Sequence, residues 1–523
     1  MNRAKRHLLT VLAAAASVAA LAIAGCGDDD GGGAGGDLAD FAPSGSPFYM
    51  EATIRPEGEL RDSIEQFSSN LAGIDDPGEQ AIAYINNALG DGEGGGLTYE
   101  DDVEPWLGEE AAMFLTSFSE DESFAFVVST TDSDAAQAAI DKAAKESGAE
   151  TEAASYEGTD FTLAPDGEAA GIVEGALVLA PNRKSFEAAV DAADGDSLAD
   201  DESFNDVLDE APEGSLTNLY VDLTGQVDEL RSSLDADSRQ FFEAIGQDQL
   251  GAYTALVSVV PAPDQLAVES TVKGDNLPPA GSAELLEQLP RQAFAAFAVP
   301  DVGAQLTRII DQIDEAGIPG EVPPNQLKAA LSRTGIDVEG LAESIGDIGI
   351  YGVGTNRRNV GGAVVIETDD ADTIGKTLTS LERILRQRRV EGYSALPGSG
   401  AGFSIRDPEE LGSKPLVVLA RGDRLVIGYG EESAEQAAAA GGQTLGSNPV
   451  FQRAADALDG QSPSVFADFQ AIFSLVEAVR PDVSEDSDYQ AAQRFLQKLE
   501  FAVASSETEG DTASARFIVG LTD

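Results

Sequence analysis

The sequence predicts an α+β protein made of two tandem duplicated halves, each an antiparallel sheet with helices packed on one face. Three observations carry this. Apolar residues alternate at a period of two in some stretches and recur at helical spacing in others. Pairs of apolar runs flank short polar turns, as in hairpins. The order of these stretches then repeats along the chain.

Before the first half stands an export signal. Arg3, Lys5 and Arg6 precede an apolar run from Leu8 to Ile23 that ends in small residues. This is the layout of a secretory signal peptide, with a run shorter than the roughly 20 residues of a comfortable membrane span. Ile23-Ala24-Gly25-Cys26 resembles the lipobox of bacterial lipoproteins, and Cys26 is the only cysteine of the chain. The resemblance implies residues 1–25 as the signal peptide, with Ile23, Ala24 and Gly25 as the cleavage motif. It also implies a diacylglyceryl group on Cys26 that holds the protein to the membrane. Residues 26–37 form the Gly/Asp tether. Gly27 to Gly36 includes three aspartates and nothing apolar larger than alanine, so it has no surface to bury; as a coil it spans roughly 17 Å.

The first half is expected over 38–275 and the second over 291–523, with a linker and lead-in at 276–290. Phe48-Tyr49-Met50-Glu51-Ala52-Thr53-Ile54 opens the first and Phe294-Ala295-Ala296-Phe297-Ala298-Val299 the second. Asp102-Val103-Glu104 ahead of Trp106-Leu107-Gly108 parallels Asp337-Val338-Glu339 ahead of Ser344-Ile345-Gly346. Phe126 to Asp132 parallels Val364 to Asp369, and a helix follows each. Ala176 to Ala180 parallels Arg424 to Gly428, and Leu219 to Leu223 parallels Val465 to Phe469. Ile374, Leu378, Leu381 and Leu385 mark one face of a helix that Asp369 or Asp370 caps and Gly392 ends. Ser133 to Gly148 is its Ala-rich counterpart. Tyr253, Ala255, Val257 and Val259, and likewise Ala515, Phe517, Val519 and Leu521, alternate as in half-buried strands. Leu416 to Leu419 and Leu425 to Ile427 flank Arg421-Gly422-Asp423 as a hairpin.

Pro105-Trp106-Leu107-Gly108, the Tyr156-Glu157-Gly158 turn, Leu177-Val178-Leu179 and Leu219-Tyr220-Val221-Asp222 together resemble a family of bacterial envelope proteins. It is common in actinobacteria and cyanobacteria and catalogued as a domain of unknown function. The resemblance covers most of the chain after the signal peptide and brings no activity with it; the second half lacks the Trp and the Tyr-Glu-Gly wording. Trp106, the only tryptophan, reads as a core anchor.

Composition excludes several chemistries. The sole histidine is His7, inside the signal peptide, which removes the usual neutral-pH base, Ser-His and Cys-His nucleophiles and His-based zinc sites. Ser270 to Lys273 has Ser-x-x-Lys spacing but falls in a strand pattern rather than at a helix start. Gly90 to Gly95 spells G-x-G-x-x-G after a helix pattern, not a strand. Asp191, Asp194, Asp196, Asp200, Asp201 and Glu202 fail the EF-hand spacing and read as a solvated turn. No catalytic residue, metal or cofactor is assigned. With 93 acidic residues and a formal charge of −61, the surface repels nucleic acid.

The expected protein is therefore non-enzymatic, lipid-anchored and extracytoplasmic, a binding or scaffold module of the cell envelope. Its partners are the membrane through Cys26 and an envelope protein, lipid or cell-wall ligand. One alternative is a carrier of a lipid or other apolar ligand between sheet and helices; another is a glycan hydrolase using two carboxylates. Arg383, Arg386, Arg388 and Arg389 end the helix that begins near Asp370. The helix dipole favours cations there, and the excess marks a candidate anion contact, Arg386 and Arg389 sharing a face by their three-residue spacing.

Overall fold

The computed structural model describes residues 36–522 except 92–96, 121, 147–149, 225–252, 275–276, 278–280, 282–283, 317–322, 324, 334–336, 397–401, 408–411 and 440–442. The signal peptide, with Ile23, Ala24, Gly25 and Cys26, lies outside the described residues, as does most of the tether. The chain divides into two compact units. Described residues up to 224 and those at 253–274 form the first, and those from 277 onward the second.

The first unit is one antiparallel sheet of ten strands: β1 (Phe48–Thr53), β2 (Leu107–Leu115), β3 (Phe124–Thr130), β4 (Glu152–Tyr156), β5 (Thr159–Leu163), β6 (Ala169–Val173), β7 (Ala176–Ala180), β8 (Thr217–Asp222), β9 (Tyr253–Ala262) and β10 (Gln265–Gly274). Their order is β4-β5-β6-β7-β3-β2-β1-β8-β9-β10. Tight turns set the registers. Tyr156 pairs with Thr159 across Glu157 and Gly158, both at positive φ, the backbone that a two-residue hairpin needs to match strand twist.

Helices cover both faces of this sheet, not one as the sequence predicted. Val128, Leu177 and Leu179 pack against Ile140 and Ala143 of the helix Ser133–Glu146, in a cluster that includes Trp106. Val127 and Val178, one residue along the same strands, pack against Phe186 and Val190 of the helix Arg183–Asp194 and Phe204 of the helix Glu202–Leu208. Central strands apolar at successive positions require cover on both sides. Trp106 is buried and its indole N–H donates to the Asp102 carbonyl at 2.6 Å. Ser270 and Lys273 lie within β10.

The second unit has β11 (Ala293–Val299), β12 (Ile345–Val353), β13 (Gly361–Thr368), β14 (Tyr393–Ala395), β15 (Gly402–Ile405), β16 (Leu416–Arg421), β17 (Arg424–Tyr429), β18 (Val465–Asp468), β19 (Leu499–Glu509) and β20 (Thr512–Leu521). All neighbours are antiparallel, in the order β14-β15-β16-β17-β13-β12-β11-β18-β19-β20. Helix Ala371–Arg388 packs Ile374 and Leu378 on Phe403 and Val418. Helix Glu431–Ala438 lies on the opposite face, so close that a Cβ on Gly428 would stand 2.6 Å from that of Ala434. Here too both faces carry helices.

Two local expectations are corrected. Asp370 caps helix Ala371–Arg388, but its end is Arg389 at φ 51, not Gly392; Val390 N–H bonding to the Leu385 carbonyl closes it earlier. In β20 and β9 the more deeply buried face is the other one. Ile518 and Leu256 are buried, whereas Phe517 is 42% exposed.

Candidate functional site

That reversal in β20 belongs to a larger pattern. The register aligns Phe517 with Ala504, Ala504 with Val465, Val465 with Phe297, Phe297 with Ile350, Ile350 with Val364 and Val364 with Ile427. These residues form one apolar row across β20, β19, β18, β11, β12, β13 and β17. At the β17 end, helix Ala371–Arg388 covers it. Towards the centre it lies open: Phe297 is 41% and Ile350 46% exposed. The stretch from β20 to β12 spans four strand spacings, about 19 Å, against roughly 15 Å for one leaflet of a bilayer's hydrocarbon core.

The flanking helices are themselves under-buried. Phe469–Val479 packs on β11 and β19 and carries Phe469, Ile472, Phe473, Leu475, Val476 and Val479, yet none of its residues is buried. Val302–Ala316 packs on β12 with Ile309 exposed. Full burial of such a side chain is worth about 1.5–3 kcal/mol, so a registered row left half in water is an unfilled apolar surface rather than scattered exposure. Among the described residues of the first unit the exposed large apolar ones, Tyr84, Phe118 and Leu223, lie apart on a helix, in a loop and beyond the end of β8.

The first unit instead concentrates carboxylates. Glu51 is fully buried on β1. Its Oε1 accepts from Gly36 N–H at 2.8 Å, and its Oε2 from Leu38 N–H at 3.2 Å and from the Tyr49 hydroxyl. Burial pushes the Glu51 carboxyl above its ordinary range, and these hydrogen bonds draw it partly back. Glu110, opposite Thr53 in the β1–β2 register, is pushed up to about 8 by burial first, then by the charges of Glu51, Asp37 and Glu109. Both Glu51 oxygens are occupied by the chain's own donors, and what they hold is the lead-in Gly36–Leu38. Of the acids from Asp191 to Glu202, all but the half-buried Asp201 are exposed, and Asp191 accepts from the Tyr156 hydroxyl at 3.3 Å. Asp201 accepts from Ser203 N–H and hydroxyl at 3.2 and 2.8 Å, and no group of three or more His, Cys, Asp or Glu residues among the described residues is placed to hold a metal.

Over residues 79–521 the chain matches the model of a family described as "Protein of unknown function (DUF3352)". The chain belongs to the DUF3352 family. No curated protein matches it. Two solved structures of TP0453 do. Crystal form I has a TM-score of 0.25 and 8% identity, over 45% of this chain and 78% of that one. Crystal form III has 0.16 and 9%, over 77% and 97%. Neither score carries an activity across to this DUF3352 chain.

The four arginines singled out in the DUF3352 sequence are all exposed. Arg386 is committed to its own helix and the hairpin after it: Nε donates to the Tyr393 hydroxyl at 3.0 Å and a terminal nitrogen to Glu382 at 3.1 Å, with the guanidinium 5.7 Å from the Tyr393 ring centroid. Arg389 is the left-handed cap, so the helical spacing that would align it with Arg386 ends one residue short. No helix among the described residues of this DUF3352 chain is long and apolar enough to cross a membrane. The row itself was missed in the sequence. The available signal was β11, where Phe294, Ala295, Phe297 and Val299 stand beside apolar Ala296 and Ala298, marking both faces as apolar.

Proposed function

We propose that this DUF3352 protein is a lipid-anchored, extracytoplasmic envelope protein that binds an apolar ligand without transforming it, the ligand being an acyl chain of a lipid laid on the open row of the second unit. The carrying observation is that row: Phe517, Val465, Phe297 and Ile350 stand in register, with Phe517, Phe297 and Ile350 exposed and Val465 half-buried between them, beside a helix with no buried residue. It favours the carrier form of binding over a bare scaffold, which needs no exposed apolar floor. The resemblance of Ile23-Ala24-Gly25-Cys26 to a lipobox supports anchoring through diacylglycerol, and an anchored acyl-chain binder would work beside its source. Glycan hydrolysis is the weaker reading, because Glu51, the most deeply buried carboxylate, has both oxygens engaged by Gly36, Leu38 and Tyr49. Repulsion by the −61 charge argues against nucleic acid as partner. The origin by tandem duplication is part of this proposal; the matching strand orders of the two units support it.

Titration of a fluorescent long-chain fatty acid into the protein tests the row. Saturable binding by wild type, weakened at least tenfold in Phe297→Asp and Ile350→Asp of unchanged fold, is expected. No binding by wild type, or equal binding by both variants, would overturn the assignment.

A further inference from the structure

The second unit contains a cavity of about 540 Å³ beyond the ends of β12 and β17 and ahead of β16, within the usual size of small-ligand sites. Three cations line it: Arg358, Arg406 and Lys414. They come from three separate loops, so no run in the sequence announces them. Lys414 is fixed in place. Its Nζ donates to the Val360 carbonyl at 2.6 Å, and its stem passes under Gly430, whose φ of 97 brings the backbone over it. Arg358 and Arg406 are exposed and make no ion pair among the described residues. Glu431 and Glu432 also line the cavity, at the first turn of helix Glu431–Ala438, where the helix dipole offsets their charge. Three converging cations are unusual in a chain with 93 acids against 32 bases.

The cavity adjoins the open row. Phe294 and Ala471 form part of its wall. The Phe294 ring lies against Gly352, where a Cβ would meet it at 2.7 Å. Gly352 is two residues from Ile350 in β12 and therefore on the same sheet face. Ala471 belongs to the under-buried helix Phe469–Val479. A molecule lying on the row thus meets first an aromatic ring and then two guanidiniums and an ammonium.

Resting on the acyl-chain reading above, we propose that this cavity holds the phosphate headgroup of the same lipid, so that the ligand class is a phosphate-bearing amphiphile. Guanidinium groups suit phosphate oxygens because their paired N–H donors match them in geometry. Glu431 and Glu432 suit a headgroup that also carries a hydroxyl or ammonium, which their carboxylates accept from.

The experiment compares three probes at about 0.15 M salt, where charges beyond roughly 8 Å are screened: dihexanoyl phosphatidylglycerol, dihexanoylglycerol and glycerol 3-phosphate, each titrated by calorimetry into wild type and into Arg358→Ala/Arg406→Ala. The phosphate-bearing amphiphile is expected to bind at least tenfold more tightly than the uncharged one, and the double variant to lose that preference while keeping its affinity for dihexanoylglycerol. Equal binding of the two amphiphiles by wild type, or a preference that survives in the double variant, overturns the headgroup assignment and leaves the row intact. Glycerol 3-phosphate binding as tightly as the amphiphile makes the cavity a free-anion site and overturns it as well. Failure of both amphiphiles to bind removes the acyl-chain reading with it.

Discussion

Glu110 is a residue whose environment works against its charge. Burial and neighbouring carboxylates push it up to about 8, well above the ordinary value near 4.3. The folded state therefore holds this proton more tightly than the unfolded chain. Between about pH 4.5 and 8 the unfolded chain releases it first, and Glu110 costs stability progressively as pH rises. Glu110→Gln should raise the thermal midpoint at pH 8 by roughly 2–4 °C, the shift that about 1 kcal/mol produces in a domain of this size, and leave it near wild type at pH 4. An equal gain at both values would mean that shape, not charge, is at fault. Glu51 is pushed up by burial too, but unlike Glu110 it is held by three donors of the chain. Removing its side chain in Glu51→Ala leaves the N–H groups of Gly36 and Leu38 and the Tyr49 hydroxyl without their acceptor, at about 1–3 kcal/mol for a buried group. Amide exchange should accelerate in residues 36–42 before it does in β1; unchanged protection there would show that the lead-in is held by other contacts.

Among the elements, caps were easier to read than faces. Asp370 as the start of helix Ala371–Arg388 is local chemistry: its carboxylate reaches the N–H groups of Asp372 and Thr373, and a short sequence window contains all of it. The helix end at Arg389 was not legible, since a left-handed arginine competes there with the nearby Gly392. Nor was the inward side of β9 and β20. Alternation marks two faces but says which is drier only through the elements laid on them, which lie far away in sequence. For the same reason the row from Phe517 to Ile427, assembled from seven strands, was invisible, and so were Arg358, Arg406 and Lys414 on three loops. The hairpin around Arg421-Gly422-Asp423 was legible because Gly422, at φ 63, supplies the backbone the turn requires. One cap offers a simple test. Asn448 accepts from the N–H groups of Val450 and Phe451 at 2.8 and 3.3 Å ahead of Pro449. Asn448→Ala should cost about 1 kcal/mol in denaturant unfolding of the second unit, and no loss would show that Pro449 alone starts the helix.

At the scale of the whole molecule, the two sheets differ in how completely their faces are covered, and the anchor proposed above has its own test. The first unit is packed on both faces, whereas the second leaves part of one face open. Cys26→Ser should give a protein that remains as precursor or washes from membranes. Processing to residue 26 with retention in high salt would show that Cys26 is not the anchor.

In the anchored protein proposed above, the grip of Glu51 on Gly36 and Leu38 sets the length of a leash. Nine residues lie between Cys26 and Gly36, a reach of at most roughly 35 Å. With Cys26 acylated, as proposed, the folded part stays within that reach of the bilayer. Under the same proposal, encounter with a lipid depends on the composition of the surface beneath it. Lengthening that leash, or cutting Glu51's hold on its upper end, changes how often the protein meets its ligand without touching the site that binds it.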